Sequence, residues 1–307
     1  MSHHHEHHNH GADDVSDAAL FWAVTLNLGL SVFEFLAGLF AGSSALMADA
    51  LHNTNDAAAL LIALVARKVS RRGADRRYTF GYRRAELIGA MIQLTALIVV
   101  GLYLVFEGVK RFFQPEPILG GWMMIAAGVA LVIDLGTVVL LWALSKGSLN
   151  VRAAFLHNLT DAGASIAVLL GGAAVYWLAW DWVDPLLTLG IAGYILYTSV
   201  NMLRRTSSIL MGAVPEDLDP AAIKEACERD EGVRELHHLH VWELDESHRA
   251  LEAHVVLEGD CIEKMGAVKR RLRETLQDRF EIVHCTLEFE TVSERCEGLE
   301  KELIPPH

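Results

Sequence analysis

Six long apolar runs, a strongly basic loop between the second and third, and a last third with shorter periodicities predict a membrane protein in two parts. The first is an all-α domain of six transmembrane helices, the second a small α+β cytoplasmic domain. Of 307 residues 52% are hydrophobic, and the mean hydropathy of +0.28 is high for a soluble chain. The runs lie at about 18–40, 46–66, 85–109, 118–144, 153–178 and 183–203, each long enough for the ~20 residues that a bilayer core requires. The first 17 residues are too polar to insert and lack the apolar core and cleavage site of a signal peptide.

Orientation follows from Lys and Arg at the span ends, because positive loops stay on the cytoplasmic side. Arg67, Lys68, Arg71, Arg72, Arg76, Arg77, Arg83 and Arg84 lie between spans two and three, Lys146 and Arg152 between four and five, and Arg204 and Arg205 after six. The turns after spans one and five carry none, and Lys110 and Arg111 are the exception. Tyr176, Trp177, Trp180 and Trp182 cluster at the turn between spans five and six, as an outer interfacial belt would. Both termini are therefore expected in the cytoplasm, and the bilayer is expected to be the cell (inner) membrane.

After Pro215 the pattern shortens. "DPAAIKEACERDEG" reads as a helix capped by Asp219, with Pro220 in its first turn and Gly232 past its end. "VRELHHLHVWELD" and "RALEAHVVLEG" alternate as half-buried strands around a turn near 246–248. An amphipathic helix, "EKMGAVKRRLRETLQDRF", and a strand, "EIVHCTLEFET", complete an αββαβ order. The expected boundaries are a His-rich disordered tail at 1–16, the transport domain at 17–208, the α+β domain at 209–292, and a flexible charged tail at 293–307.

The formal net charge of −13 is concentrated in this last part, with 24 acidic and 12 basic residues over 213–307. An acidic cytoplasmic segment argues against nucleic acid or anionic lipid heads as partners. It reads as a solubility device or as a field that concentrates cations. Four cysteines (Cys227, Cys261, Cys285, Cys296) form no CxxC pair, and cytoplasmic placement predicts thiols.

Two short stretches inside apolar runs carry the chemistry: "HNTND" at 52–56 and "HNLTD" at 157–161. His52 and Asp56 are one helical turn apart and share a face, and His157 and Asp161 repeat the arrangement on another helix. Ionisable groups at membrane depth are costly and mark ion paths. One such residue reads as an interhelical hydrogen bond, whereas two identical pairs read as a site. If the faces meet, two imidazole nitrogens and two carboxylate oxygens form a set suited to tetrahedral Zn²⁺. Four protein ligands close the sphere, whereas a catalytic zinc keeps a position open for water. With no HExxH and no nucleophile motif, the chain reads as a transporter and not an enzyme. Metal binding expels protons from its ligands, so proton uptake on the far side can release the ion.

These stretches give the chain its resemblance to the cation diffusion facilitator family of metal exporters. It rests on "SSALMADALHNTNDAAALLIALVA", "RYTFGYRRAELIGAMIQ", "AAFLHNLTDAGASIAVLL", "DWVDPLLTL" and "ILMGAVPEDLD", and covers nearly the whole chain. The resemblance implies a homodimer, proton antiport, a metallochaperone-like cytoplasmic domain, and a transport site at His52, Asp56, His157 and Asp161. Histidine at the first of these positions implies a leaning towards zinc. It also implies zinc in the cytoplasmic domain at His237, His254 and His284, with Glu290 as a fourth ligand and His238, His240 and Cys285 as neighbours able to substitute. The loop "SRRGADRRYTFG" has no histidine, so a loop metal site is not expected, and Gln93 stands where many relatives have Asn.

Asp49, three residues before His52, is placed to accept the second ring N–H of His52 as an outer-shell partner. Asn27, Glu34 and Asp134 read as interhelical contacts. The N-terminal "HHHEHHNHG" reads as a native metal-gathering tail, its interruptions being unlike an expression tag's run of six. Two other readings stay open: the same machine for Co²⁺, Cd²⁺ or Ni²⁺, and a membrane metal sensor without transport.

Overall fold

The computed structural model describes residues 25, 28–144, 149–245, 248–258, 265–293, 295–296 and 302–305, without the side chains of 56–57, 59–60, 63–64 and 140–158. The histidine-rich N-terminal stretch, Asn27 and the start of span one, residues 246–247 of the strand turn, and Cys261 lie outside the described residues. The chain forms two compact units, one from Met1–Leu64 with Ile92–Asn201, the other from Val65–Met91 with Met202–His307.

The helices are α1 (Leu28–Ala41), α2 (Ser44–Ser70), α3 (Ala85–Phe113), α4 (Gly120–Leu144), α5 (Leu149–Leu178) and α6 (Val183–Leu210). Among the described residues four are long and apolar enough to cross a bilayer: α3, Gly120–Val139 of α4, Leu159–Leu178 of α5, and α6. With 27 residues α2 is ~40 Å long at 1.5 Å per residue. Its apolarity is interrupted by Asp49, His52 and Asp56 and by Arg67 and Lys68 in its last turn.

The first unit is apolar outside and polar within. Phe40, Phe106, Val132, Leu170 and Tyr197 are all more than 60% exposed, while Ser31, Glu34, Asp49, Asn53, Asp134, Asp161 and Asp184 are buried. That inversion is what a hydrocarbon solvent selects, since polar groups facing lipid would have no partners. Small residues let α4 and α5 approach closely. A Cβ on Gly120 would lie 2.7 Å from the Tyr176 backbone nitrogen and 2.9 Å from the Gly172 carbonyl oxygen.

The entry to α2 is held from two sides. Ser43 caps it by accepting from Leu46 N–H at 3.1 Å. Asp184, in the first turn of α6, accepts from Ser43 Oγ at 2.5 Å and Ala45 N at 3.2 Å on one oxygen. Its other oxygen accepts from Ser44 N at 2.9 Å and Ser44 Oγ at 2.8 Å. A buried carboxylate against the exposed N–H groups of a helix start is the stable place for that charge.

The second unit contains the expected αββαβ arrangement. Asp219 caps α7 (Pro220–Glu228), accepting from Ala221 N at 2.9 Å, as the sequence predicts. Strands β1 (Val233–Asp245), β2 (His248–Leu257) and β3 (Ile282–Glu290) form one sheet in the order β1-β2-β3. The β1–β2 pair is antiparallel. The β2–β3 pair is parallel, and α8 (Met265–Phe280) makes the crossover that parallel pairing requires. Ile223, Leu236, Leu251, Val255, Leu272 and Leu276 form the core between sheet and helices. Cys227 is part of that core, and burial pushes its thiol up to about 12, so it is an inert apolar filler.

Two features shape the other sheet face. The β1–β2 register shifts between His237 and His240, and His238 sits in the left-handed region at φ 50. This bulge shifts the alternation by one, so that Leu236 and Leu239, three residues apart, both face the core, while His237 is buried on the opposite face. The chain after β3, expected to be mobile, has its residues 302–303 against β1: the Glu302 carbonyl accepts from His238 N at 3.0 Å and the Leu303 carbonyl from Leu239 N at 2.7 Å. Leu303, partly buried, packs against the core, and that apolar contact accompanies the two backbone bonds. Also within this unit, the basic stretch 65–91 meets the sheet through Arg83 Nη1, 3.3 Å from Asp245 Oδ2.

Candidate metal centres

The membrane candidate rests on α2 and α5. His52 Nε2 of α2 lies 3.9 Å from Asp161 Oδ1 of α5, with both side chains largely removed from solvent. Asp56 follows His52 by one turn on α2, and His157 precedes Asp161 by one turn on α5. Their side chains lie outside the described residues. One member of each HxxxD pair is thus brought together with one member of the other. Asp49 is 2% exposed on α2, a turn before His52.

Other polar groups surround these helices. Asn53 Nδ2 donates to Glu34 Oε2 at 3.1 Å, joining α2 to α1. Ser165 Oγ donates to Asp134 Oδ2 at 2.8 Å, joining α5 to α4. Both Glu34 and Asp134 therefore make the interhelical contacts that the sequence suggested.

The second candidate lies in the α+β domain, on the sheet face away from α7 and α8. His237 of β1 and His254 of β2 are register partners on the non-core face. Glu290, at the end of β3, joins them, and so does Cys296 beyond the strand. Ligand atoms of His237, His254, Glu290 and Cys296 all lie within 4.8 Å of one another. His254 Nδ1 is 2.7 Å from Glu290 Oε1, and His237 Nε2 is 3.5 Å from Glu290 Oε2. Cys296 Sγ is 3.4 Å from His254 Nδ1 and 3.2 Å from Glu290 Oε1.

The charge states suit a cation. Burial of His237 holds its imidazole below the usual histidine range, against the opposing pull of Glu290, so it is neutral at pH 7. Burial alone would raise Glu290. The hydrogen bonds from Cys296 and His254 outweigh it and hold that carboxyl below its ordinary value, so it is ionised. His237 is fully buried, and neither ring nitrogen has a hydrogen-bond partner among the described residues. A buried imidazole with both nitrogens unsatisfied is expensive unless something else occupies a lone pair.

His284 is not gathered with this group. It pairs in register with Ala250, four residues from His254 along β2, and its side chain is exposed. Its ring meets Phe80 edge-on at 5.6 Å between centroids. Cys296 takes the fourth place instead. Local periodicity carries no signal for it, because it lies beyond the last strand in a charged segment, and only the chain's return across the sheet brings it in.

Comparison with known proteins assigns a family to each of the two parts of the chain. The cation efflux transmembrane domain family matches residues 20–211, and the cation efflux protein cytoplasmic domain family matches residues 215–292. The zinc transporter ZitB of Escherichia coli K12 is 33% identical over 297 residues, covering 94% of this chain and 93% of the relative. The cadmium, cobalt and zinc/H(+)-K(+) antiporter of Bacillus subtilis strain 168 is 30% identical over 290 residues, covering 92% and 91%. The metal cation efflux system protein CzcD of Cupriavidus metallidurans is 31% identical over 283 residues, covering 92% and 89%. A solved structure of the metal-bound C-terminal domain of the CzcD transporter from that organism is 32% identical, covering 24% of this chain and 99% of its own, at a TM-score of 0.22. By the family match over most of its length and by relatives at this identity, the chain belongs to the cation efflux family of transmembrane metal-ion transporters.

Proposed function

We propose that this chain is a proton-coupled antiporter that exports Zn²⁺ from the cytoplasm through a site of His52, Asp56, His157 and Asp161 between α2 and α5. The observation that carries it is the approach of His52 on α2 to Asp161 on α5 at 3.9 Å, inside an otherwise apolar helical unit. The spacing of both HxxxD pairs supports Asp56 and His157 as the other ligands. Asp49 serves as the outer-shell acceptor for His52. The six-span reading counts α1 and α2 with the four apolar helices, because the polar groups that lower α2's apolarity are the site itself. The basic stretch 65–91 supports a cytoplasmic position for that end of the helices, and hence for both termini.

Zinc as cargo follows from two nitrogens and two oxygens in a closed set. ZitB is named for zinc and the Bacillus protein for cadmium, cobalt and zinc with exchange for H⁺ and K⁺. Loading displaces protons from the ligands, and proton re-entry from the far side ejects the ion. In the cytoplasmic domain His237, His254 and Glu290 hold a second, regulatory Zn²⁺, and the chain works as a homodimer.

Zinc flux in proteoliposomes with an imposed pH gradient tests the transport reading. Wild type is expected to show gradient-driven flux, and Asp161→Ala or Asp56→Ala less than ~1% of it, since no water easily replaces a ligand in a low-dielectric site. Near-normal flux in either folded variant overturns the four-ligand site. No flux in wild type leaves the sensor reading instead.

A further inference from the structure

We infer that Cys296 supplies a thiolate to the cytoplasmic metal site, so that a thiophilic divalent cation bound there clasps the C-terminal segment onto the sheet. The inference rests on the regulatory-metal reading above and adds its fourth ligand, its preference, and the consequence of occupancy.

The geometry is that of a closed tetrahedral set. Metal–ligand bonds of about 2.0–2.3 Å place tetrahedral donor atoms roughly 3.3–3.8 Å apart. Cys296 Sγ stands 3.4 Å from His254 Nδ1, and His237 Nε2 stands 3.5 Å from Glu290 Oε2. The two contacts to Glu290 Oε1, at 2.7 Å from His254 Nδ1 and 3.2 Å from Cys296 Sγ, are hydrogen bonds that open slightly when a cation replaces the shared protons. On its far side His254 Nε2 faces the Glu288 carboxylate at 3.5 Å. Once a cation displaces the proton that Nδ1 shares with Glu290, that partner favours the tautomer with the proton on Nε2 and so presents the Nδ1 lone pair to the metal. His237 is fully buried with neither ring nitrogen hydrogen-bonded among the described residues, which points to a ligand for that ring.

Three of the four ligands belong to strands already fixed by the sheet. The fourth does not. Cys296 is reached from β3 by a short return of chain, and its backbone N–H also donates to Glu290 Oε2 at 3.2 Å. Next to it Arg295 pairs with Glu235 of β1. Farther on, the Glu302 and Leu303 carbonyls accept from His238 and Leu239 at the open edge of β1. Coordination by Cys296 therefore adds a metal bond at the near end of a segment whose far end already zips onto β1. Metal occupancy and docking of the segment become one equilibrium. A site of one thiolate, two imidazoles and one carboxylate favours Zn²⁺, Cd²⁺ and Co²⁺ over Mg²⁺ and Mn²⁺.

The test uses the full chain in detergent, with Co²⁺ and Zn²⁺ as probes. The proposed membrane site has no cysteine, so a near-ultraviolet thiolate-to-cobalt charge-transfer band reports only the cytoplasmic domain. The band is expected in wild type, retained in Cys261→Ser with Cys285→Ser, and absent in Cys296→Ser and Cys296→Ala. Amide hydrogen exchange at His238 and Leu239 is expected to slow on the order of tenfold with Zn²⁺ in wild type, and less than twofold in the Cys296 variants. Glu290→Gln, which preserves the side-chain shape, reports separately whether the domain binds metal. If bound stoichiometry falls by one in Glu290→Gln but wild type shows no thiolate band, the clasp is overturned and the regulatory site stands. If neither signal appears in wild type, the regulatory reading fails and the clasp with it.

Discussion

At position 52 an imidazole, where a carboxylate would fit equally well on the helix face, fixes both the charge and the softness of the proposed transport site. Replacing it (His52→Asp) exchanges a borderline nitrogen for a hard oxygen and adds a negative charge. The ratio of zinc to cadmium or manganese flux is expected to fall by about tenfold, as hard-ligand sets favour larger or harder ions. An unchanged ratio in proteoliposomes would show that this position does not set selectivity. His52 and Asp161 were legible from a local repeat, because a one-turn spacing survives any packing of the helices. Residues whose partners are remote in sequence were not. Asp184 stands in a stretch that marks the family, yet its role follows only from Ser43 and Ser44, lying 141 and 140 residues away. Cys296 has no periodic neighbour at all, and His284, on a strand of the right pattern, faces Phe80 rather than the other ligands.

At the scale of elements, apolar run length and period locate the helices and strands well, since hydrocarbon or a core must cover each one. The αββαβ order and the Asp219 cap are read from the chain alone. The bulge at 237–240 is not, because nothing in "HHLH" states that one residue must be left over. The trans-cap of α2 by α6 makes a specific demand. Both oxygens of Asp184 accept, so an amide would turn an N–H₂ towards either the Ser44 or the Ala45 backbone N–H. Asp184→Asn is expected to cost about 2 kcal/mol, the range for losing charge-assisted bonds in a buried setting. The midpoint of heat-induced loss of monodisperse protein in detergent should fall by several degrees, with flux falling too. His52 stands about 12 Å along α2 from that cap, eight residues at 1.5 Å each. A variant as stable as wild type would show that the cap does not anchor α2.

Across the whole molecule the proposed roles of the two candidate centres divide by solvent. Ligands in a hydrocarbon-embedded helix pair can carry an ion between aqueous phases, whereas ligands on a sheet face of the α+β domain can only bias a conformation. Removing the cytoplasmic site with His237→Ala and Glu290→Gln together should therefore lower the rate and leave the transport step intact. The acidic surplus of this part, 24 acidic against 12 basic residues over 213–307, sets the direction. Two such domains in the proposed homodimer repel each other, and a bound divalent cation offsets part of that charge. Loss of the site removes the offset, so zinc-dependent compaction seen by small-angle scattering should vanish. The flux rate should fall by about fivefold, equivalent to ~1 kcal/mol of coupling at the lower end of what such linkages supply. Raising ionic strength screens the same repulsion and should recover part of the loss, which a simple misfolding of the domain would not do. Gradient-driven flux that disappears in a folded double variant would place the cytoplasmic ligands in the transport step itself.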